Sequence, residues 1–294
     1  MNAKHSTEIP HHHKESLNDF IQWLSRLGYA DTTMENYARL LGNFFTFLDD
    51  QKASQQQISS FFEHLKLRPI STSYIQSHIS VIRKYSEYLE LTKGEKLMLA
   101  DIILEHQLPV QRTIFKQAEI KTLFSSTESN SPQGFYDRAL LSIFYGCGLR
   151  SKEGIGLEPS DIDLNKKLLY VKPSKNYQSR YVPLSDQVAT DLKSFMNFAR
   201  PLINHNSKYL LVGILKPYTN GHYLNRRLKA LMLAAGIDKK ATLHSLRHSI
   251  ATHLLQQGMD IEYIRRFLGH QSLAATQIYV RMNEELLHEQ QVNE

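Results

Sequence analysis

Between residues 244 and 279 the sequence gathers side chains suited to handling a phosphate. His244 and Arg247 stand three apart and share one helix face. Thr242, just ahead of them, is a candidate N-cap, so both fall in a first turn, where free N–H groups and the helix dipole favour an anion. His270 follows a glycine, and Tyr279 comes nine residues later. A forked guanidinium, imidazole donors and a phenol are the parts of a phosphate cradle with a hydroxyl nucleophile beside it. A phenol of pKa about 10 is a poor nucleophile at pH 7, so it needs cations nearby.

Three short helices would position these groups. Leu246, Ile250, Leu254 and Leu255 form the apolar stripe of the first, which Gly258 ends. Ile261, Ile264, Phe267 and Leu268 form the buried side of the second, stopped by Gly269. Ser272 can cap a third, carrying Ile278 and Tyr279. On this reading His244 and Arg247 lie off the buried stripe. The tail beyond holds Met282, Leu286 and Leu287 at helical spacing, an apolar face too small to fold alone.

The wording H-x-x-R-H-x-x-A-T-H-L-L at 244–255, L-G-H at 268–270 and T-Q-I-Y at 276–279 resembles the tyrosine recombinase (phage integrase) family, and its Xer branch closely. The resemblance implies a role for each matching residue. Arg150, in a G-L-R-x-x-E setting with Glu153 in support, and Arg247 would hold the phosphodiester oxygens. His244 would be the general acid/base, His270 a hydrogen-bond donor to the phosphate and Tyr279 the nucleophile. Lys175, in K-x-x-x-x-R-x-V-P-L, would protonate the leaving 5′ oxygen. Ser174-Lys175-Asn176 departs from the family's Gly-Lys-Gly, and Lys172 competes for that role.

The resemblance further implies a 3′-phosphotyrosyl intermediate and a Holliday junction. The partner would be a double-stranded DNA recombination site, bound by a homo-tetramer on two sites or a hetero-tetramer with a related recombinase. The tail would pack onto a neighbouring subunit or onto its own domain. No cofactor is implied, neither ATP nor metal, and the sequence has no P-loop motif. The job would be chromosome or plasmid dimer resolution, or integration and excision of a mobile element.

The expected fold class is mainly α, in two domains. Residues 1–14 read as a disordered leader; its His11, His12 and His13 have no other metal ligand in the flanks. Residues 15–108 read as a helical bundle, with stripes at Leu17–Leu24, Tyr37–Leu48, Ile58–Leu65 and Ile75–Leu89, and a short fifth helix near 95–105. Thr32 or Thr33 would cap the second helix, and Ser71 or Ser73 the fourth. T-x-x-x-Y-x-x-x-L-x-x-F-x-x-F from Thr33 to Phe47 resembles the SAM-like core-binding domain of the same family, half of a clamp on DNA. Its candidates for phosphate contact are Thr32, Thr33, Asn36, Arg39, Ser73, Gln76, Arg83 and Lys84.

A linker is expected at 109–114, where Pro109 disfavours helix. The catalytic domain would occupy 115–294, mostly helical, with a small antiparallel sheet built on Leu168–Val171 and Arg180–Leu184. Residues 157–164 read as a turn. Arg180, Arg226 and Arg227 are its further DNA-contact candidates.

Charge supports a polyanionic partner. Residues 1–110 hold 11 basic and 13 acidic side chains, whereas the rest hold 24 and 16, within a total of +6. The single cysteine, Cys147, excludes an internal disulfide and fits a reducing cytoplasm. No run of 18 apolar residues suggests a membrane span. Three other readings compete. A metal-dependent hydrolase could use His244 and His248, four apart, with His253 beyond, but no Glu lies between them. A type IB topoisomerase-like enzyme would share the chemistry, and a non-catalytic DNA-binding protein would share the surface.

Overall fold

A computed structural model of the chain describes residues 9–97, 113–128, 130–173, 178–204, 206–213 and 219–270. The chain divides into two compact units, Met1–Val110 and Gln111–Glu294.

The first unit is a helical bundle of α1 (His11–Arg26), α2 (Asp31–Leu48), α3 (Gln55–Lys66) and α4 (Thr72–Lys93). Their stripes meet in an aromatic core that includes Phe20, Phe44, Phe45, Phe61, Phe62 and Tyr85. Ser54 caps α3 and Ser71 caps α4, each hydroxyl accepting a backbone N–H of the first turn. Two boundaries differ from the sequence expectation. The second helix starts at Asp31 after Ala30, ahead of both threonines. The first starts at His11, inside the stretch read as a leader. His13 explains that start. Its ring stacks on Phe45 at 4.5 Å between centroids, and its Nε2 donates to the Gln51 carbonyl at 3.2 Å. An imidazole can fill an aromatic core slot, which hydropathy patterning does not credit. Burial lowers its pKa, as expected of a core histidine. Of the expected fifth helix, residues 95–97 are not helical and the remainder lies outside the described residues.

The second unit begins with α5 (Gln117–Ser125) and α6 (Pro132–Leu141), the latter continuing as a π-helical turn to Gly146. After α7 (Ser151–Ile155) come three antiparallel strands, β1 (Ile162–Asp163), β2 (Leu168–Val171) and β3 (Arg180–Pro183), in the order β1-β2-β3. Leu169 stands opposite both Ile162 and Val182. β1 falls in the stretch expected to be a turn; two residues are too few to show a period of two. Then follow α8 (Asp186–Ser194), which runs through a π-helical turn into α9 (Arg200–Asn204), α10 (Gly221–Ala234), α11 (Leu243–Gln256) and α12 (Ile261–Leu268). The core gathers Phe115, Tyr136, Phe144, Leu169, Val182, Phe195, Leu224 and Leu246. A satellite cluster of Ala251, Ile264 and Leu268 joins α11 to α12, with Ile114 packed on it.

The end of the expected linker is bound to this unit. Thr113 donates to the Lys240 carbonyl at 2.8 Å, Lys239 to the Ile114 carbonyl at 3.0 Å, and the Phe115 N–H to Ser249 Oγ at 2.8 Å. Residues 109–112 lie outside the described residues.

α7 is short and is held by close packing. A Cβ on Gly154 would lie 2.6 Å from two ring carbons of Phe144. Gly154→Ala gains about 1 kcal/mol of helix propensity. Overpacking against a buried ring costs roughly 1–3 kcal/mol. The variant is therefore expected to unfold at a lower urea concentration than the wild type. A raised midpoint would show that α7 is free to move away from Phe144.

Candidate active site

α7, β3, α11 and α12 converge on one carboxylate. Glu153 lies in the first turn of α7, where its Oε2 accepts the Arg150 N–H at 2.9 Å and so caps the helix. The same carboxylate holds arginines. Arg150 Nη1 donates to Oε1 at 2.9 Å. Arg180, from β3, donates to both oxygens at 2.9 Å in a bidentate fork. Arg247, from α11, has Nη1 3.9 Å from Oε2. Glu153 is only 7 % exposed.

The other anchor is the C-terminus of α12, whose last carbonyls carry the negative end of a helix dipole. Arg180 Nε donates to the Phe267 carbonyl at 3.0 Å, Arg247 Nη2 to Leu268 at 2.7 Å, and Arg150 Nη2 to Gly269 at 3.0 Å. Arg247 also donates to the Gly148 carbonyl. Two glycines make these approaches possible. Gly148 and Gly269 have φ of 58° and 67°. A Cβ on Gly269 would lie 2.7 Å from the Arg180 guanidinium.

The structure thus brings Arg150, Glu153, Arg180, Arg247 and His270 together, and His244 lines a cavity with Arg150 and Glu153. His244 is exposed at the start of α11 and its ring meets that of His248 edge-on at 4.3 Å. His270 is held neutral: burial, and then the charges of Arg247, Arg150 and Arg180, push its pKa down to about 3. For Glu153, burial pulls the pKa up, but the arginines outweigh it and leave the carboxylate at about 2.

Arg247 departs from the sequence expectation. It was expected off the buried stripe, yet it is 1 % exposed. Its face of α11 is polar and inward, with His248, Ser249, Thr252 and His253 also buried, while Ile250, Leu254 and Leu255 are only partly so. Backbone carbonyls satisfy the guanidinium there, and carbonyls leave no mark in a sequence pattern. The first-turn amides of α11 are likewise partly taken. The Leu243 N–H donates to Asn225 Oδ1 at 3.0 Å and the Thr242 N–H to Ser245 Oγ at 3.1 Å. Neither Asn225 as a partner of the helix start nor the part-buried pair of Tyr145 and His253, 2.9 Å apart, was marked by the sequence pattern.

Lys175 and Tyr279 lie outside the described residues. Lys172, the competitor of Lys175, is paired with Glu158 at 3.0 Å and Asp161 at 3.3 Å, and the hydrogen bond to Glu158 raises its pKa. The DNA-contact candidates fall into two groups. In the first unit Asn36, Arg39 and Arg83 are exposed and Thr33 half-buried. Arg39 donates to Asn36 at 2.8 Å and to the Tyr74 hydroxyl at 3.2 Å. Lys84 pairs with Glu87 and lies over Trp23. In the second unit Arg226 is exposed over Tyr223, whereas Arg227 is bound to Asp137 and Arg180 to Glu153. Those last two serve the interior of the unit, a use that charge patterning alone does not distinguish from phosphate contact.

The pattern of the phage integrase family matches residues 113–285, and that of its N-terminal SAM-like domain residues 16–93. The chain belongs to the phage integrase family. It is 32 % identical to the tyrosine recombinase XerD of Lacticaseibacillus casei, over 92 % of this chain and 94 % of the relative. It is 28 % identical to the tyrosine recombinase XerC of Bacillus subtilis (strain 168), over 91 % and 92 %. Among solved structures it resembles a lambda integrase (75–356) dimer bound to a COC′ core site, with TM-score 0.73 and 15 % identity over 90 % of this chain and 94 % of that one. The XerH site-specific recombinase bound to its difH substrate gives TM-score 0.68 and 22 % identity, over 84 % and 75 %. These structures share the mainly helical fold and its small sheet. Among the described residues no helix is long and apolar enough to cross a membrane.

The two anchors make distinct pH predictions. Glu153 has a depressed pKa, so its contribution is complete above its ordinary value near 4.5 and is lost as pH falls towards 2. Glu153→Gln leaves three guanidiniums without their carboxylate and is expected to cost about 3–5 kcal/mol at pH 7, with a shallower loss of stability below pH 4.5. The His270 pKa is depressed too, but for an imidazole this means that the unfolded chain binds the extra proton below pH 6.5. Stability therefore falls with acidification from 6.5 towards 3, and His270→Asn is expected to flatten that limb. Urea titrations at several pH values check both; parallel curves for wild type and variants would contradict the assigned pKa directions.

Proposed function

We propose that this chain, a tyrosine recombinase by family, cuts and rejoins duplex DNA at a specific site through a 3′-phosphotyrosyl link made by Tyr279. The observation that carries this reading is the cluster of Arg150 and Arg247 around Glu153, with His270 beside it and His244 on the same cavity as Arg150. Both guanidiniums are oriented by fixed carbonyls before any ligand arrives, the preorganisation that stabilises developing charge.

The proposed steps join these described groups to Tyr279 and Lys175, whose roles come from the family resemblance. The Tyr279 oxygen attacks the scissile phosphorus while His244 takes the phenol proton. Arg150 and Arg247 hold the non-bridging oxygens, and neutral His270 donates a hydrogen bond to one of them. The bond from phosphorus to the 5′ oxygen breaks, and Lys175 gives that oxygen its proton. Lys172 is the weaker donor, since Glu158 and Asp161 favour its ammonium form. A 5′ hydroxyl from the partner duplex then attacks the phosphotyrosine in reverse. Two such exchanges make and resolve a Holliday junction. The phosphotyrosine conserves the bond energy, so the scheme calls for neither ATP nor metal. Four subunits on two sites would carry this out in the cytoplasm, as one chain or with a related recombinase. The task would be chromosome or plasmid dimer resolution, or movement of an element. Thr33, Asn36, Arg39, Arg83, Lys84 and Arg226 would contact the DNA backbone.

The test uses a nicked duplex bearing a crossover site selected from fragments of the source genome by binding to the full chain. In EDTA, wild-type protein is expected to give a covalent adduct on a denaturing gel, absent from Tyr279→Phe. Arg247→Ala is expected to slow adduct formation by at least about a hundredfold. An adduct that survives in Tyr279→Phe would reassign the nucleophile. No adduct with wild type on its bound site would leave a DNA-binding protein without strand cleavage.

A further inference from the structure

A cavity of about 440 Å³ opens beside His270, lined among others by Ser179, Arg180, Arg265, Arg266 and Gly269. Its three guanidiniums have different duties. Arg180 is committed to Glu153 and the Phe267 carbonyl. Arg265 closes on Glu262 through Nε and Nη2, both at 2.7 Å, and gives Nη1 to the His270 carbonyl at 2.9 Å. Arg265 therefore fixes the backbone at His270. Arg266 is different. It gives Glu262 only its Nε, at 3.1 Å, and its side chain is 70 % exposed. Among the described residues its two Nη groups have no hydrogen-bond partner.

The charge balance points the same way. Glu262 offsets one of the two charges on Arg265 and Arg266, and Glu153 one of the three on Arg150, Arg180 and Arg247. One phosphodiester carries a single negative charge. Among the described residues, the end of α12 is thus more positive than one scissile phosphate can match. Its excess lies on the open fork of Arg266, away from the guanidiniums fixed by carbonyls.

We propose that this cavity is a second phosphate subsite, in which Arg266 and the Ser179 hydroxyl take a non-scissile phosphodiester next to the one held by Arg150 and Arg247. The inference rests on the DNA-cleaving reading above. Holding two successive phosphates fixes the direction of the strand as well as its position. That is what an in-line attack by a phenol requires. Arg265 and Glu262 act as positioning residues, holding Arg266 and the His270 carbonyl in register.

The test measures half-site binding as a function of salt with the selected crossover duplex. Each phosphate contact contributes about 0.9 to the slope of log K against log salt. Arg266→Gln is expected to reduce the slope by about that amount, and Arg266→Lys to restore most of it. A methylphosphonate placed at each phosphate flanking the scissile one should, at one position only, cause the same loss with wild type and no further loss with Arg266→Gln. An unchanged slope in Arg266→Gln, or losses that add at both positions, would overturn the subsite. Adduct formation by wild type in the same samples reports separately on the cleavage reading. An adduct without a slope change removes the subsite alone. A slope change without an adduct keeps the phosphate contact and removes the cleavage chemistry.

Discussion

A single buried carboxylate holds the second unit's chemistry together. Glu153 accepts from the backbone and the guanidinium of Arg150 at the start of its own helix, and from Arg180 of β3, 27 residues away. A buried carboxylate is costly unless its lone pairs are filled, and here donors fill them. The same argument applies in reverse to the arginines. Each would be costly to bury beside the others without an acid between them. The C-terminus of α12 provides the rest, since its last carbonyls have no partner within the helix and point at the same three side chains. Orphan acceptors and crowded donors solve each other's problem.

This arrangement also fixes the local architecture. β3 is tied to α12 through Arg180, so the start of the strand is held beside the arginine pair. Gly148 and Gly269 adopt left-handed backbone at the two places where a carbonyl must turn towards a guanidinium. α11 is packed on two sides, by the main core at Leu243 and Leu246 and by the satellite cluster at Ala251. It therefore has little freedom to rotate Arg247 away. The start of the unit is bound to α11 as well, through Ser249. Movement of the incoming chain and placement of Arg247 thus bear on one helix.

Much of this was legible in the sequence, for identifiable reasons. The bundle helices show strong stripes because each buries one face against its neighbours. The hairpin strands alternate, and the H-x-x-R, L-G-H and T-Q-I-Y spacings carried the family. What escaped depends on partners distant in sequence. Arg247 lies off the apolar stripe, and its burial escaped because its partners are carbonyls of Gly148 and Leu268, distant in sequence. The acids that pair with Arg180 and Arg227 could not be read from a charge pattern, because they lie across the fold. His13 looked like part of a polar leader because its stacking on Phe45 depends on tertiary contact. Three-dimensional pairing overrode local pattern in each case, at a polar side chain whose partner lies far away in sequence.

The charge count of the cluster carries a last consequence. Among the described residues, three guanidiniums around one carboxylate give this cluster a formal charge of +2. A bound phosphodiester brings one negative charge and leaves the cluster positive. On the proposed reading, addition of a phenolate oxygen to phosphorus would give a pentacovalent species carrying two, which this cluster would match. On that reading the cluster would fit the transition state better than the ground state, which is the condition for binding energy to accelerate chemistry rather than hold substrate. A second carboxylate in the cluster would neutralise the ground state and remove that difference. A missing Glu153 would leave the arginines repelling one another. One acid among three arginines is the composition that keeps the geometry rigid and the preference for developing charge intact.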